Sequence, residues 1–540
     1  MSCDRANPLP KILLVGEVLR YRSFNGANKA LPVLASSLYQ AGFTQVVQMD
    51  LERSDLTIQN VLQEAIDADL IIFAGCMTPQ WAEIDRDTKA VFDQLQKIGR
   101  SQVPILVGGY ATKGVADIAT ITPWIAAYCD GEGETMIIEV ARAVAKGTFW
   151  QEMQQIQGLA FVDEAGEFRH SIASRVGSFD HIDQNFGLVH VPEVHDMDIF
   201  RQHDRVLKTA QLFTQRGCPW QCGFCNKSTE SSNVFRINEA SFRQQLQQLR
   251  QRGYQAVYLD VDTFTVHEQA ARREAQILKQ EGFVWGSNTR IDQIDFEQMV
   301  YLVEHNCVYL FFGVEHLMVE VSLAIGKFNG SLKSQLKQAL DYPKKVEQVF
   351  REMGRAGLPS SYFVILGLPK AKISDNLATI VGYEPTTFED DMSAIRFGLE
   401  RCDPDFLNFN TLRFMPGSAA ADLPSSAYTC VRPSGSQPIT AGYFLPRAAK
   451  HYRYHTPQNH GVYRLCESVD KNQPTSIAMN ATRLYETIHD TMQMINAKVN
   501  AGGKATTLFI DRDLLAQGLV NRDQKGRYTI APLTAFAQLS

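Results

Sequence analysis

Three cysteines, Cys218, Cys222 and Cys225, fall in the run Arg216-Gly-Cys-Pro-Trp-Gln-Cys-Gly-Phe-Cys-Asn226, with no fourth cysteine nearby. The spacing is Cys-x3-Cys-x2-Cys. A closed structural zinc site takes four ligands, and iron–sulfur clusters are normally held by four thiolates. Three thiolates on a four-iron cluster leave one iron free to bind and activate another molecule. Two blander readings use the same residues: a zinc site completed by a distant His or Cys, and buried thiols with no metal.

The elements around the triad alternate between strand and helix. Lys11-Ile-Leu-Leu-Val15, Val46-Val-Gln-Met49, Leu70-Ile-Ile-Phe-Ala74 and Pro104-Ile-Leu-Val107 read as buried strands, several ending at glycine. Helical periodicity fills the gaps: 30–42, 58–66, 81–98 and 135–146. This pattern predicts a doubly wound parallel sheet over 1–150, of the kind that binds ligands beyond its strand carboxyl ends. A connector over 151–204 contains a predicted hairpin around Asp163-Glu-Ala-Gly166. Alternation resumes over 205–420, with Leu212-Phe-Thr214 read as the strand leading into the cysteine loop. Later strands end in polar residues: Asp260 and Asp262, Arg290, then Glu315. In that order they predict a partial parallel barrel, a partial (β/α)6 arrangement with its site at the strand C-termini. Residues 421–540 form a small α+β extension, with a helix over 478–499 and a strand over 527–530; its expected place is over the barrel mouth, as a substrate cap. The cluster His451, Tyr452, Tyr454, His455, His460 and Tyr463 reads first as a surface loop and second as pocket lining.

The bulk numbers narrow the class. At 540 residues the chain has room for two or three cores. Hydrophobic content of 45% and charged content of 21% are ordinary for a globular protein. A net charge of −6 supplies no excess of cations to grip nucleic acid non-specifically. No apolar run is long enough to span a bilayer, and Met-Ser-Cys-Asp-Arg lacks a signal peptide's apolar stretch, so the expectation is a cytoplasmic protein. Ten dispersed cysteines do not form a disulfide framework, and a reducing compartment keeps thiolates available for iron.

The cysteine run resembles the signature of the radical S-adenosylmethionine (SAM) enzymes. That resemblance implies a [4Fe-4S] cluster on Cys218, Cys222 and Cys225, whose open iron chelates SAM and whose reduction yields a 5′-deoxyadenosyl radical. It also implies further contacts: Phe224 near the adenine, Asp262 on the SAM amino group or substrate, Arg290 on the SAM carboxylate, and Glu315 on the ribose. The first 150 residues resemble the cobalamin-binding domain that precedes the radical domain in one large class. The matching pieces are Leu31-Pro to Leu38, Gly75-Cys-Met-Thr78, Gly108-Gly-Tyr-Ala-Thr112 and Gly131-Glu-Gly-Glu134. Gly75, Thr78, Gly108, Gly109 and Gly131 are thereby candidate cobalamin contacts. Many cobalamin proteins carry Asp-x-His-x-x-Gly after the first strand; here Glu17 to Gly26 contains no His. If cobalamin binds, its lower cobalt face is met by water, by nothing, or by another residue.

Together the two pieces resemble the class B radical SAM methyltransferases. The expected activity is methyl transfer to an unactivated carbon of a small molecule or peptide, with a reductant such as flavodoxin or ferredoxin. Radical cyclisation or rearrangement without methyl transfer, with or without cobalamin, uses the same features. A non-enzymatic metal-binding protein requires the strand-end residues to be coincidental.

Overall fold

A computed structural model describes residues 9–17, 25–26, 28–51, 55–76, 81–112, 122–173, 184–195, 200–202, 205–225, 233–377, 379–412, 429–431, 438–440, 481–508 and 518–532. Two large sheets organise them. The first contains β1 (Ile12–Gly16), β2 (Val46–Asp50), β3 (Leu70–Ala74), β4 (Ile105–Gly108), β5 (Ala127–Cys129), β6 (Leu159–Val162) and β7 (Phe168–His170). Their spatial order is β2-β1-β3-β4-β5-β6-β7. Pairing is parallel from β2 to β5 and antiparallel from β5 to β7. β1 and β3 are buried along their whole length, as expected for strands covered on both faces. Helices α1 (Ala30–Gln40), α2 (Ile58–Ala65), α3 (Trp81–Lys97) and α4 (Gly133–Lys146) supply the cover. α1 packs beside α4, which buries Met136, Ile137, Val140 and Ala141 and stops at Gly147 in the left-handed conformation.

The second sheet is the barrel. Six parallel strands run β8 (Thr209–Leu212), β9 (Ala256–Leu259), β10 (Val284–Thr289), β11 (Cys307–Glu315), β12 (Ser360–Leu366) and β15 (Phe406–Thr411). Between the last two lies an antiparallel hairpin, β13 (Pro369–Ile373) and β14 (Ile380–Pro385). Helices α5 (Glu239–Gln251), α6 (Glu268–Gln280), α7 (Phe296–Glu304), α8 (Val319–Ala324), α9 (Leu332–Ala356) and α10 (Phe388–Phe397) complete the wrapping. Side chains cap several of them: Asn238, Asp295, Ser331 and Thr387 each accept a backbone N–H from the first turn. The predicted α/β class, with a doubly wound sheet followed by a partial barrel, is what the chain adopts.

Two boundaries differ from the sequence reading. The region expected as a connector from residue 151 splits: β6 and β7 extend the first sheet, and Glu193–His195 pairs antiparallel with β8 at the barrel edge. The exposed backbone of β5 recruits the hairpin, a demand no local pattern announces. Of the extension beyond 421, three described pieces lie at the far edge of the barrel or beside it: β16 (Thr507–Leu508) pairs parallel with β15, α11 (Ala481–Asn500) packs on α10, and β17 (Val520–Arg522) pairs with β18 (Tyr528–Ile530). The unpaired edge of β15 attracts β16 for the same reason. The His and Tyr cluster of 451–463 lies outside the described residues.

The apolar core is continuous across both sheets. One cluster joins Leu38 and Leu106 of the first to Leu212, Leu310 and Val364 of the second. Another joins Val107 and Ile84 to Ile325, Ile365 and Leu368. No helix among the described residues is long and apolar enough to cross a membrane. Within the barrel, Trp285 on β10 is fully buried, packs 5.0 Å from the Phe264 ring, and donates its Nε1–H to the His305 carbonyl at 2.6 Å. Trp285→Ala is expected to cost about 3–5 kcal/mol, read as a lower thermal unfolding midpoint.

Candidate active site

The chain leaves β8 through Phe213, Thr214 and a two-residue ladder in which Gln215–Arg216 pairs with Phe235–Arg236. Gly217, in a left-handed conformation, then turns it into the cysteine loop. Cys218, Cys222 and Cys225 lie on this loop, none of them fully buried. The loop is tied down by backbone contacts: Cys225 N–H to the Cys222 carbonyl at 2.9 Å, and Gly223 N–H to the Ile325 carbonyl at 2.6 Å. Phe224 packs against the apolar cluster that includes Val321, Ile325 and Leu368. Burial pushes the Cys218 thiol up, and the nearby Asp262 carboxylate adds to this. Burial also raises Cys222, opposed by the Arg290 and Lys327 cations. A cation held among these sulfurs reverses that balance and favours thiolate.

The ends of β10 and β11 build the wall beside Cys222. Arg290 donates Nε and Nη2 to Asp292 at 2.9 and 3.0 Å, Nη2 to the Lys327 carbonyl at 2.8 Å, and Nη1 to Cys222 Sγ at 3.6 Å. Its guanidinium lies 4.5 Å from the Trp220 ring centre. Burial disfavours this cation, but Asp292 more than compensates, so the Arg290 pKa is raised. Glu315 ends β11 with φ of 59°, a conformation uncommon for any residue but glycine. Its carboxylate pairs with Lys327, whose Nζ also reaches the Gly313 carbonyl at 3.0 Å. The pairing register shifts between Gly313 and Glu315, so a bulge re-aims this strand end.

Between the two sheets lies a cavity of about 440 Å³. Gly75, Gly108, Gly109 and Gly131 line it on the first sheet; Phe213, Arg216, Gly217, Asp260 and Asp262 line it on the barrel. Two glycines are there because nothing else fits. A Cβ on Gly75 would stand 2.3 Å from Asn28 Oδ1, and a Cβ on Gly109 would stand 2.4 Å from the Cys76 backbone. Asn28 itself is fixed by its own N–H to Asp50 at 2.9 Å and by its Nδ2 to the Ala74 carbonyl at 2.6 Å. Ion pairs lock the two walls together. Lys29 Nζ meets Asp260 Oδ2 at 2.5 Å, and Gln211 donates to the same carboxylate. Arg216 pairs with Glu134, and with Glu132 at 3.3 Å, at the start of α4. Phe213 lies beneath both cations, 5.3 Å from Lys29 Nζ and 5.6 Å from the Arg216 guanidinium.

The predicted residues therefore fall into two connected groups. Cys218, Cys222, Arg290 and Glu315 meet at the cysteine loop, while Gly75, Gly108, Gly109, Gly131 and Asp262 meet at the cavity. Thr78 lies outside the described residues. Sequence reasoning missed Asn28, Lys29, Phe213, Asp292 and Lys327. Asp292, two residues after Arg290, was the one with a local signal.

No family model matches the chain. It is 24% identical over 353 residues to an uncharacterised methyltransferase of Pyrococcus horikoshii, covering 63% of this chain and 72% of the relative. It is 24% identical over 270 residues to the anaerobic magnesium-protoporphyrin IX monomethyl ester cyclase of Rubrivivax gelatinosus, covering 48% of this chain and 46% of the relative, so it spans under half of that protein. Among solved structures it is similar to the radical SAM methyltransferase TsrM of Kitasatospora setae, solved with cobalamin and a [4Fe-4S] cluster (TM-score 0.60, 15% identity, 90% of each chain). It is also similar to the cobalamin-dependent radical SAM enzyme OxsB, solved with aqua-cobalamin and SAM (TM-score 0.55, 16% identity, 74% of this chain and 52% of that one). The fold is thus the one shared by TsrM and OxsB.

Two outcomes test this geometry. Gly109→Ala places a Cβ on backbone at a φ of 123° and is expected to destabilise the chain by more than about 1 kcal/mol, measured as a fall in melting temperature. Arg216→Ala strands the buried Glu134 carboxylate and is expected to cost about 3–5 kcal/mol. Limited proteolysis between the two sheets is expected to accelerate in that variant.

Proposed function

We propose that this chain is a cobalamin-dependent radical SAM methyltransferase acting on an unactivated carbon of a small molecule. One observation carries the reading: Arg216 and Gly217, the residues leading into Cys218, line the same cavity as the glycines of the first sheet. The cysteine loop and the glycine cradle thus share a wall. The cradle offers backbone where a single Cβ would intrude, and the three cysteines share one loop; among the described residues no three His, Cys, Asp or Glu side chains are grouped to hold a metal ion. Bound there, a cluster with SAM supplies a carbon-centred radical and cobalamin supplies a methyl carrier.

The chain's own residues position and shield. Cys218, Cys222 and Cys225 would hold the cluster. Gly75, Gly108, Gly109 and Gly131 would let the backbone approach the corrin closely. Asp262 borders the cavity and lies near Cys218, so it can accept a hydrogen bond from an amine held between the two groups. Phe213 and the ion pairs over it keep the two walls at a fixed separation, which is the alignment radical transfer requires. Enclosure between two sheets also limits water at the reacting carbon. No histidine lines the cavity among the described residues. The cytoplasm, and a reductant such as flavodoxin or ferredoxin, belong to the same proposal. The similarity to the anaerobic cyclase supports a second reading, radical ring formation without methyl transfer.

Anaerobic reconstitution with iron, sulfide and cobalamin tests the proposal. The expected result is about four irons per chain, bound cobalamin in the visible spectrum, and both 5′-deoxyadenosine and S-adenosylhomocysteine formed from SAM with a candidate substrate. Cys222→Ala is expected to abolish cluster assembly and 5′-deoxyadenosine formation. Gly75→Val is expected to retain iron and lose cobalamin. 5′-Deoxyadenosine without S-adenosylhomocysteine would favour the second reading, and a colourless, iron-free wild type would sink both.

A further inference from the structure

Arg290 is held too completely to be a free reader of a carboxylate. Its Nε and Nη2 are committed to both oxygens of Asp292, and Nη2 also to the Lys327 carbonyl. Trp220, from the cysteine loop itself, covers one face of the guanidinium at 4.5 Å. The remaining nitrogen, Nη1, points at Cys222 Sγ from 3.6 Å. With its partners on two sides and a ring on a third, the guanidinium has one orientation, and that orientation aims an N–H at sulfur.

We propose that Arg290 sets the reduction potential of the cluster, by donating a charge-assisted hydrogen bond to the Cys222 sulfur, and that Asp292 is the positioning residue that aims it. The proposal rests on the reading that the three cysteines hold a cluster. The physics is direct. Adding one electron to the cluster increases the negative charge on its ligand sulfurs. A fixed cation and an N–H on one of those sulfurs stabilise the reduced form more than the oxidised form, which raises the potential. The Lys327 cation is kept close by its pairing with Glu315, so its influence is largely offset. A bidentate fork is required, which lysine does not supply.

The test is a dithionite titration, followed by electron paramagnetic resonance, of reconstituted wild type, Arg290→Gln and Arg290→Lys without SAM, together with equilibrium binding of SAM to each. The expected result for Arg290→Gln is a one-electron reduction made roughly tenfold less favourable, which corresponds to about 59 mV more negative, with SAM affinity changed less than about twofold. Arg290→Lys keeps a cation but lacks the fork that aims an N–H at sulfur, and is expected to shift the potential in the same direction by less. An unchanged potential with SAM affinity lost more than about tenfold would overturn the proposal and return Arg290 to the SAM carboxylate. If Arg290→Gln takes up no iron, Arg290→Lys decides: a negative shift upholds the proposal and an unchanged potential overturns it. A wild type that takes up no iron defeats the functional reading itself, an outcome separate from either result in the variants.

Discussion

The arrangement of this molecule depends on the contact between the start of α4 and the residues that lead into the cysteine loop. Arg216 is inserted between the two sheets and is neutralised by Glu132 and Glu134 of the first. A cation buried in this way is costly unless it is paired, and the pairing succeeds only at one separation of the sheets. Lys29 and Asp260 repeat the device on the other side of Phe213. The apolar clusters that run through both sheets supply the bulk attraction, but hydrophobic burial is non-directional. The ion pairs supply the register. The size of the cavity and the position of Asp262 on its wall follow from that register.

The glycines work on the opposite principle, by leaving things out. Gly75 yields its side-chain volume to Asn28, which in turn bridges Asp50 and the end of β3. Gly109 yields its volume to the Cys76 backbone, and Cys76 closes the turn by donating its N–H to the Gly108 carbonyl at 2.9 Å. At Gly109 the cavity wall is therefore backbone packed on backbone, and there no side chain can rotate away from it. It offers a bulky ligand a flat surface with fixed N–H and C=O directions.

Much of this was legible in the chain. The cysteine spacing is local, and the alternation of strands and helices follows from periodicities that burial on both faces imposes. The glycines of the cavity were visible because they interrupt strand ends. What stayed hidden was set by partners distant along the chain. Arg216 reaches Glu134 across a separation of 82 residues, and Arg290 reaches Cys222 across 68. Arg290 reads as a strand-end cation either way; only the fold shows that its donors are spent on Asp292, Lys327 and a sulfur. The hairpin of β6 and β7 was recognised as a hairpin, but its attachment to the first sheet is decided by the open edge of β5. Nothing within the hairpin encodes that.

The strand at Thr507–Leu508 carries a consequence for how the chain is made. It is the last neighbour of β15, and it arrives after a segment of about a hundred residues that contributes α11. During synthesis the outer edge of β15 waits for this partner until about a hundred further residues have been made. An open strand edge is a template for pairing with other chains, and multidomain proteins are most vulnerable at this stage. The barrel is thus completed by a strand from outside the stretch that carries its other strands. This makes slow or interrupted translation between β15 and β16 a route to aggregation, even though β16 stands far from the cysteines along the chain.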